Sequence, residues 1–161
     1  MPSARRYRPR KGDVKELLEA VKKKFGESIF DEIGRDLEIL KLETQVELII
    51  SEDKIIFFRK GGEIYPTLNN VDMFNLGRVT VDMGAVPYVA SGADVMGPGV
   101  VSVDPGIKQG NIIKVVDERH EKSIAVGLAL TASEDMVAPK GKVVKNIHHV
   151  GDKIWPLLEK G

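Results

Sequence analysis

"GADVMGPGVVSVDP", residues Gly92–Pro105, is the stretch whose reading decides the second half of this chain. Its glycines and prolines interrupt a valine-rich run that otherwise alternates like a strand. It carries no assembled catalytic group. From sequence the glycines have two readings. They permit a tight corner between strands, or they leave backbone amides bare for a phosphate. In the second case Ser91 and Lys142 or Lys145 would reach the same group if the last strand runs alongside.

Short strand signals surround this stretch. "RVTV" (78–81), "NIIKVVDE" (111–118), "SIAVGLALT" (123–131) and "KVVKNIHH" (142–149) are rich in β-branched residues and bounded by turns. "VMGPGVVSV" (95–103) is expected as one more strand. "DMGAVPYVASG" (82–92) predicts a short helix that starts near Gly84 or Ala85, keeps Pro87 in its first turn and ends at Gly92. Asp82 is expected to cap it. "DKIWPLLEKG" (152–161) predicts a closing helix with Trp155 buried. The pattern is that of a small closed or nearly closed barrel.

The first half reads differently. Residues 1–12 hold Arg5, Arg6, Arg8, Arg10 and Lys11 without an acid, either a solvated flexible arm or one that touches phosphate. Asp13, with Glu16 three residues on, predicts a helix N-cap, and Val14, Leu17, Leu18, Val21 and Phe25 follow at helical spacing up to Gly26. A second short helix is expected over Ser28–Ile33. Then come strands "LEILKLE", "VELIIS", "KIIFFRK" and "GGEIYPTL", the last limited by Pro66 to an edge or an end. Phe57 and Phe58 fall on opposite faces of their strand, so both fill a two-sided core or one meets a partner. "NNVDMFNLG" (69–77) is the expected seam, dividing the chain into 1–73 and 74–161. The fold class expected is α+β.

Composition narrows the function. The 161 residues are 42% apolar and 30% charged, a globular profile. Acidic and basic side chains balance at 24 each, and the two sides of the seam are each balanced as well. An indiscriminate polyanion binder should be basic, so any nucleic acid is held by local patches and shape. No apolar run is long enough to span a membrane, and no apolar stretch follows the basic start, so a cytoplasmic protein is expected. Two glutamines beside abundant Lys, Glu, Val and Ile lean towards a heat-adapted source.

Candidate catalytic groups are missing. There is no cysteine, which removes thiolate metal sites and cysteine nucleophiles. His148 and His149 are neighbours on a strand and cannot chelate one ion together, and His120 sits in a charged turn. No Gly-x-Ser-x-Gly elbow and no phosphate-binding glycine loop occurs. Glu134 and Asp135 read as solvated turn residues. The sequence therefore predicts no enzyme, no cofactor and no metal.

"TVDMGAVPYVASGADVMGPGVVSVD", "GIKQGNIIKVV", "AVGLALTASED" and "NIHHVGDKIW" together resemble the PUA domain, named for pseudouridine synthase and archaeosine transglycosylase, over about Gly77–Leu157. "FFRKGGEIYPTL" ahead of them is similar to the malignant-T-cell-amplified-sequence family and its archaeal relatives, extending the likeness to about Leu37–Leu157. The resemblance implies a pre-PUA domain (1–73) and a PUA pseudo-barrel (74–161) with one or two short helices. It implies an RNA-binding factor of translation initiation, reinitiation or recycling, acting on rRNA of the small ribosomal subunit or on initiator tRNA. Eukaryotic members pair with the density-regulated protein, so a protein partner is implied too.

By the same resemblance the RNA-facing residues are Gly84, Ala85, Tyr88, Ser91, Gly92, Ala93, Met96, Pro98 and Gly99, with Lys142, Lys145 and His148 from the last strand. Met96 belongs either to that surface or to the core. Asp82 and Asp94 flank the surface and depart from a strongly basic binder. Two other readings stay open: the RNA-recognition subunit of a tRNA or rRNA modification complex, and a protein-docking module built on "KIIFFRKGGEIYP".

Overall fold

The computed structural model describes residues 4–34 and 36–159. The chain divides into two compact units with the boundary between Phe74 and Asn75.

The first unit is an antiparallel five-stranded sheet with two helices. The strands are β1 (Ala4–Tyr7), β2 (Leu37–Leu42), β3 (Glu47–Ser51), β4 (Lys54–Lys60) and β5 (Glu63–Pro66), ordered β1-β2-β3-β4-β5. Pro66 is the last residue of an edge strand, where its missing N–H costs the ladder nothing. The tight turn between β3 and β4 places Glu52 and Asp53 at positive φ. Helix α1 (Lys11–Phe25) buries Leu17, Leu18 and Val21, and α2 (Glu27–Glu32) buries Ile29. Phe25 stacks on Phe57 with ring centres 5.5 Å apart, and both meet Phe74 edge-on. Phe58 is fully buried as well and stacks on Tyr65, so neither phenylalanine of "KIIFFRK" is exposed for a partner.

Two expectations for this unit are corrected. The basic arm, so far as the structure describes it, is not free: Ala4–Tyr7 pair with β2, Tyr7 opposite Ile39. Residues 1–3 of the arm lie outside the described residues. Acids on and just before β2 hold the arginines, Arg6 Nε on Glu38 Oε2 at 2.6 Å and Arg8 on Asp36. The Arg6 guanidinium holds the Glu38 carboxyl below its ordinary range. Asp13 does not cap α1. The helix begins at Lys11, Arg10 takes the N-cap position with extended backbone, and its carbonyl accepts from Val14 N. Strand pairing up to Tyr7 fixes the entry of the chain, so the helix starts as soon as Pro9 is passed.

The second unit is built on β6 (Gly77–Val81), α3 (Val86–Val89), β7 (Val95–Met96), β8 (Val100–Val103), β9 (Ile112–Asp117), β10 (Ser123–Ala129), β11 (Lys142–His149) and α4 (Trp155–Glu159). Its sheet runs β7-β11-β10-β9-β6-β8, with β6 parallel to β9 and the other pairs antiparallel. The two edges, β7 and β8, are consecutive in the chain and joined only by a 3-10 turn over Gly97–Gly99. Four peptide steps span at most about 14 Å. The sheet must therefore curl until its edges nearly meet, which makes a nearly closed barrel. Val79, Val81, Val95, Val100, Ile113, Val115, Ala125, Val144 and Met136 fill it.

The stretch expected as one strand over 95–103 is thus two, one on each edge. Gly97 sits where a Cβ would stand 2.6 Å from the Ala138 carbonyl oxygen, so only glycine allows this approach. Trp155 is also corrected. It is half-buried at the start of α4, while Ile154 and Leu158 take the buried places. Of the closing segment, residues 160 and 161 lie outside the described residues.

Candidate nucleic-acid interface

The corner of the barrel opens into a shallow cavity of about 660 Å³. Its walls come from the β6–α3 turn (Asp82, Gly84, Ala85), from α3 (Tyr88, Val89), from the loop behind it (Gly92, Ala93, Asp94), from β7 and the 3-10 turn (Val95, Met96, Pro98, Gly99), and from Lys142 at the start of β11. Gly84, Ala85, Tyr88, Gly92, Ala93, Met96, Pro98, Gly99 and Lys142 of the expected set therefore converge. Tyr88 is 70% exposed and Met96 45%, which places Met96 on the surface and leaves the core to Val95.

Hydrogen bonds fix these walls. Ala85 N donates to Asp82 Oδ1 at 2.8 Å, so Asp82 ties the turn ahead of α3 rather than the first helical turn itself. Asp94 Oδ1 accepts from Asn146 N at 2.8 Å, and Asn146 Nδ2 donates to the Val89 and Ala93 carbonyls, 3.0 Å each. Asn146 thereby sews the α3 loop to β11. An asparagine within a valine-rich strand pattern is the signal that could have revealed it, because asparagine is disfavoured there unless its amide has a task.

The bare-amide reading is corrected for Gly92 and Gly97. Gly92 N donates to Val89 O, Ala93 N to Tyr88 O and Gly97 N to Gly141 O, so these amides are engaged inside the fold. Gly92 has φ of +100°, and a Cβ there would stand 3.1 Å from His149 Nε2. That conformation and that close ring account for the glycine without a ligand.

Ser91, Lys145 and His148 do not line the cavity. Ser91 Oγ donates to the Pro87 carbonyl at 2.8 Å, and Lys145 is exposed on β11 opposite Leu128. His148 is fully buried, its Nδ1 2.6 Å from Asp152 Oδ2, and so cannot touch RNA directly. Its neighbour His149 is the one that lies beside the site, against Gly92, because adjacent strand residues face opposite sides. Asp152 also accepts from the backbone of His149, Ile154 and Trp155. Burial opposes its charge, yet the His148 contact and these amides hold it below the ordinary aspartate range.

Lys142 is the single cation among the described lining residues. Its Nζ is 3.3 Å from Asp94 Oδ2. Among the described residues no cluster of His, Cys, Asp or Glu could hold a metal ion. No described helix is long and apolar enough to cross a membrane.

Residues 77–151, which carry this cavity, match the PUA domain family. Over 96% of its length the chain is 39% identical to an uncharacterized protein of Methanocaldococcus jannaschii, covering 98% of that protein. It is 34% identical to translation machinery-associated protein 20 of Eremothecium gossypii, across 80% of this chain and 78% of that one. A hypothetical protein from Pyrococcus horikoshii superposes with a TM-score of 0.78 at 35% identity, covering 96% of this chain and 99% of the other. The chain belongs to the PUA-domain family that includes translation machinery-associated protein 20 and the malignant T-cell-amplified sequence proteins.

Proposed function

We propose that this protein is a translation-associated RNA-binding factor without a catalytic step of its own, working in the cytoplasm. The first unit corresponds to a pre-PUA domain and the second to the PUA domain that meets RNA. One observation carries the reading. Within the family-matched segment, an exposed tyrosine and an exposed methionine flank a cavity with a lysine at its rim, away from the barrel core. An exposed aromatic beside a cation is the usual equipment for an unpaired nucleotide. The names of the relatives support the translation setting. Small-subunit rRNA and initiator tRNA are the RNAs proposed, in initiation, reinitiation or recycling.

The test is a fluorescence-anisotropy titration with single-stranded fragments of small-subunit rRNA and with initiator tRNA. Tyr88→Ala is expected to weaken binding by roughly five- to a hundredfold, the worth of one base stacked on an aromatic ring. Equal affinity of wild type and Tyr88→Ala, with the fold intact by circular dichroism, would remove this face from the RNA site.

A further inference from the structure

Resting on that reading, we propose that the cavity admits the amino-bearing edge of one unstacked base, not a phosphate, and that Asp94 and Asp82 select it. The charge of the lining decides against phosphate. Two carboxylates face one lysine, and that lysine is already paired with Asp94 at 3.3 Å.

The backbone gives the same answer. Among the lining residues the amides of Asp82, Ala85, Tyr88, Val89, Gly92 and Ala93 donate within the fold, so these N–H groups are not offered to an anion. The carboxylate oxygens remain as acceptors. A carboxylate has about four lone-pair positions. Asp94 uses one oxygen for Asn146 N and the other for Lys142, and so keeps acceptor capacity on both. Asp82 uses Oδ1 for Ala85 N, and its Oδ2 has no partner among the described residues. A group that enters must bring hydrogen-bond donors and tolerate apolar walls. A flat base with an exocyclic amino group does both, with Tyr88 and Met96 against its faces. The phosphates of the same strand then stay on the outer side, towards the exposed Lys145.

Two probe pairs isolate the edge. Cytosine and uracil, or adenine and hypoxanthine, differ on this edge by an amino donor replaced by a carbonyl acceptor, with the adjacent ring nitrogen changing from acceptor to N–H donor. The full-length protein should bind short oligo(rC) over oligo(rU), and oligo(rA) over oligo(rI), by roughly fivefold or more, the weak end of a hydrogen-bonded base readout. Asp94→Asn keeps a carbonyl oxygen for Asn146 N but loses the charge, and its side chain both donates and accepts. It should bring the members of each pair within about twofold of one another, mainly by tightening the uracil and hypoxanthine partners. Asp82→Asn, which also keeps its bond to Ala85 N, should narrow the gap in the same direction if Asp94→Asn unfolds the loop.

Equal binding of the paired probes by wild type, or full preference retained in both folded variants, overturns the selection by carboxylates. If RNA binding and its loss in Tyr88→Ala persist in that case, the RNA-binding role stands alone. No binding of any probe removes both.

Discussion

Asp152 shows how one side chain can hold a whole terminus. It joins the end of β11 to α4 through His148 and three backbone amides, and its folded titration lies below the ordinary range near 4. A carboxyl depressed by folding stabilises fully above its unfolded value, and that stabilisation fades as pH falls through the lowered one. Asp152→Ala is therefore expected to cost about 2 kcal/mol at pH 7, from a lost cap and a buried histidine losing this partner. The deficit relative to wild type should shrink at pH 3, as measured by urea unfolding at both values. A deficit equally large at pH 3 would mean the charge is not what matters. The glycines of the corner separate in the same way. Gly97→Ala drives a Cβ to 2.6 Å from a backbone oxygen, whereas Gly99→Ala places one 3.0 Å from the Ala85 Cβ. Thermal melts should show the larger loss for Gly97→Ala, about 1–3 kcal/mol, and this is a stability effect rather than a lost RNA contact.

At the scale of elements, the unexpected one is β1. Isolated from its partner, "ARRYRPRK" has the composition of a solvated tail, because propensity alone does not favour a short arginine-rich strand. Pairing with β2 overrides that, and Glu38 on β2 and Asp36 just before it supply the counter-charges. Deleting residues 1–7 should then lower the melting temperature of the full chain by about 5 °C, since it removes a ladder and exposes β2 as a new edge. An unchanged melt would mark the strand as dispensable. By contrast α1, β2 to β5 and the inner strands β6, β9, β10 and β11 of the barrel follow patterns visible in the residues. The split of β7 from β8 did not, because a Gly-Pro-Gly within valines reads equally well as a bulge in one strand until the partners are known.

For the whole molecule the balance of 24 acids and 24 bases matters most. Binding driven by general electrostatics would fall steeply with salt, whereas one or two cations near a carboxylate-lined cavity give a shallow dependence. The slope of log affinity against log salt is expected to be about −2 or shallower for single-stranded RNA between 50 and 200 mM salt. A slope near −5 would place most of the binding elsewhere, the remaining basic residues included. Much of the surface that meets the cavity was legible through the family resemblance: Gly84, Ala85, Tyr88, Gly92, Ala93, Met96, Pro98, Gly99 and Lys142 come together, while Ser91, Lys145 and His148 do not. The choice of His148 over His149 was not, nor was the role of Asn146.

The sequence by itself determined the α+β class, the antiparallel run of the first unit and the strand content of the second. These rest on local periodicity and turn residues, which need no knowledge of neighbours. It also determined the absence of thiolate chemistry, since composition is sufficient for that. Only the tertiary structure decided which strands form the edges of the barrel, which of two adjacent histidines is buried, and that the amides of Gly92, Ala93 and Gly97 are already bonded. Each of these depends on what lies opposite a residue across the sheet. Partners such as Gly97 and Ala138, or Asp94 and Asn146, are distant in the chain and meet only when the barrel curls.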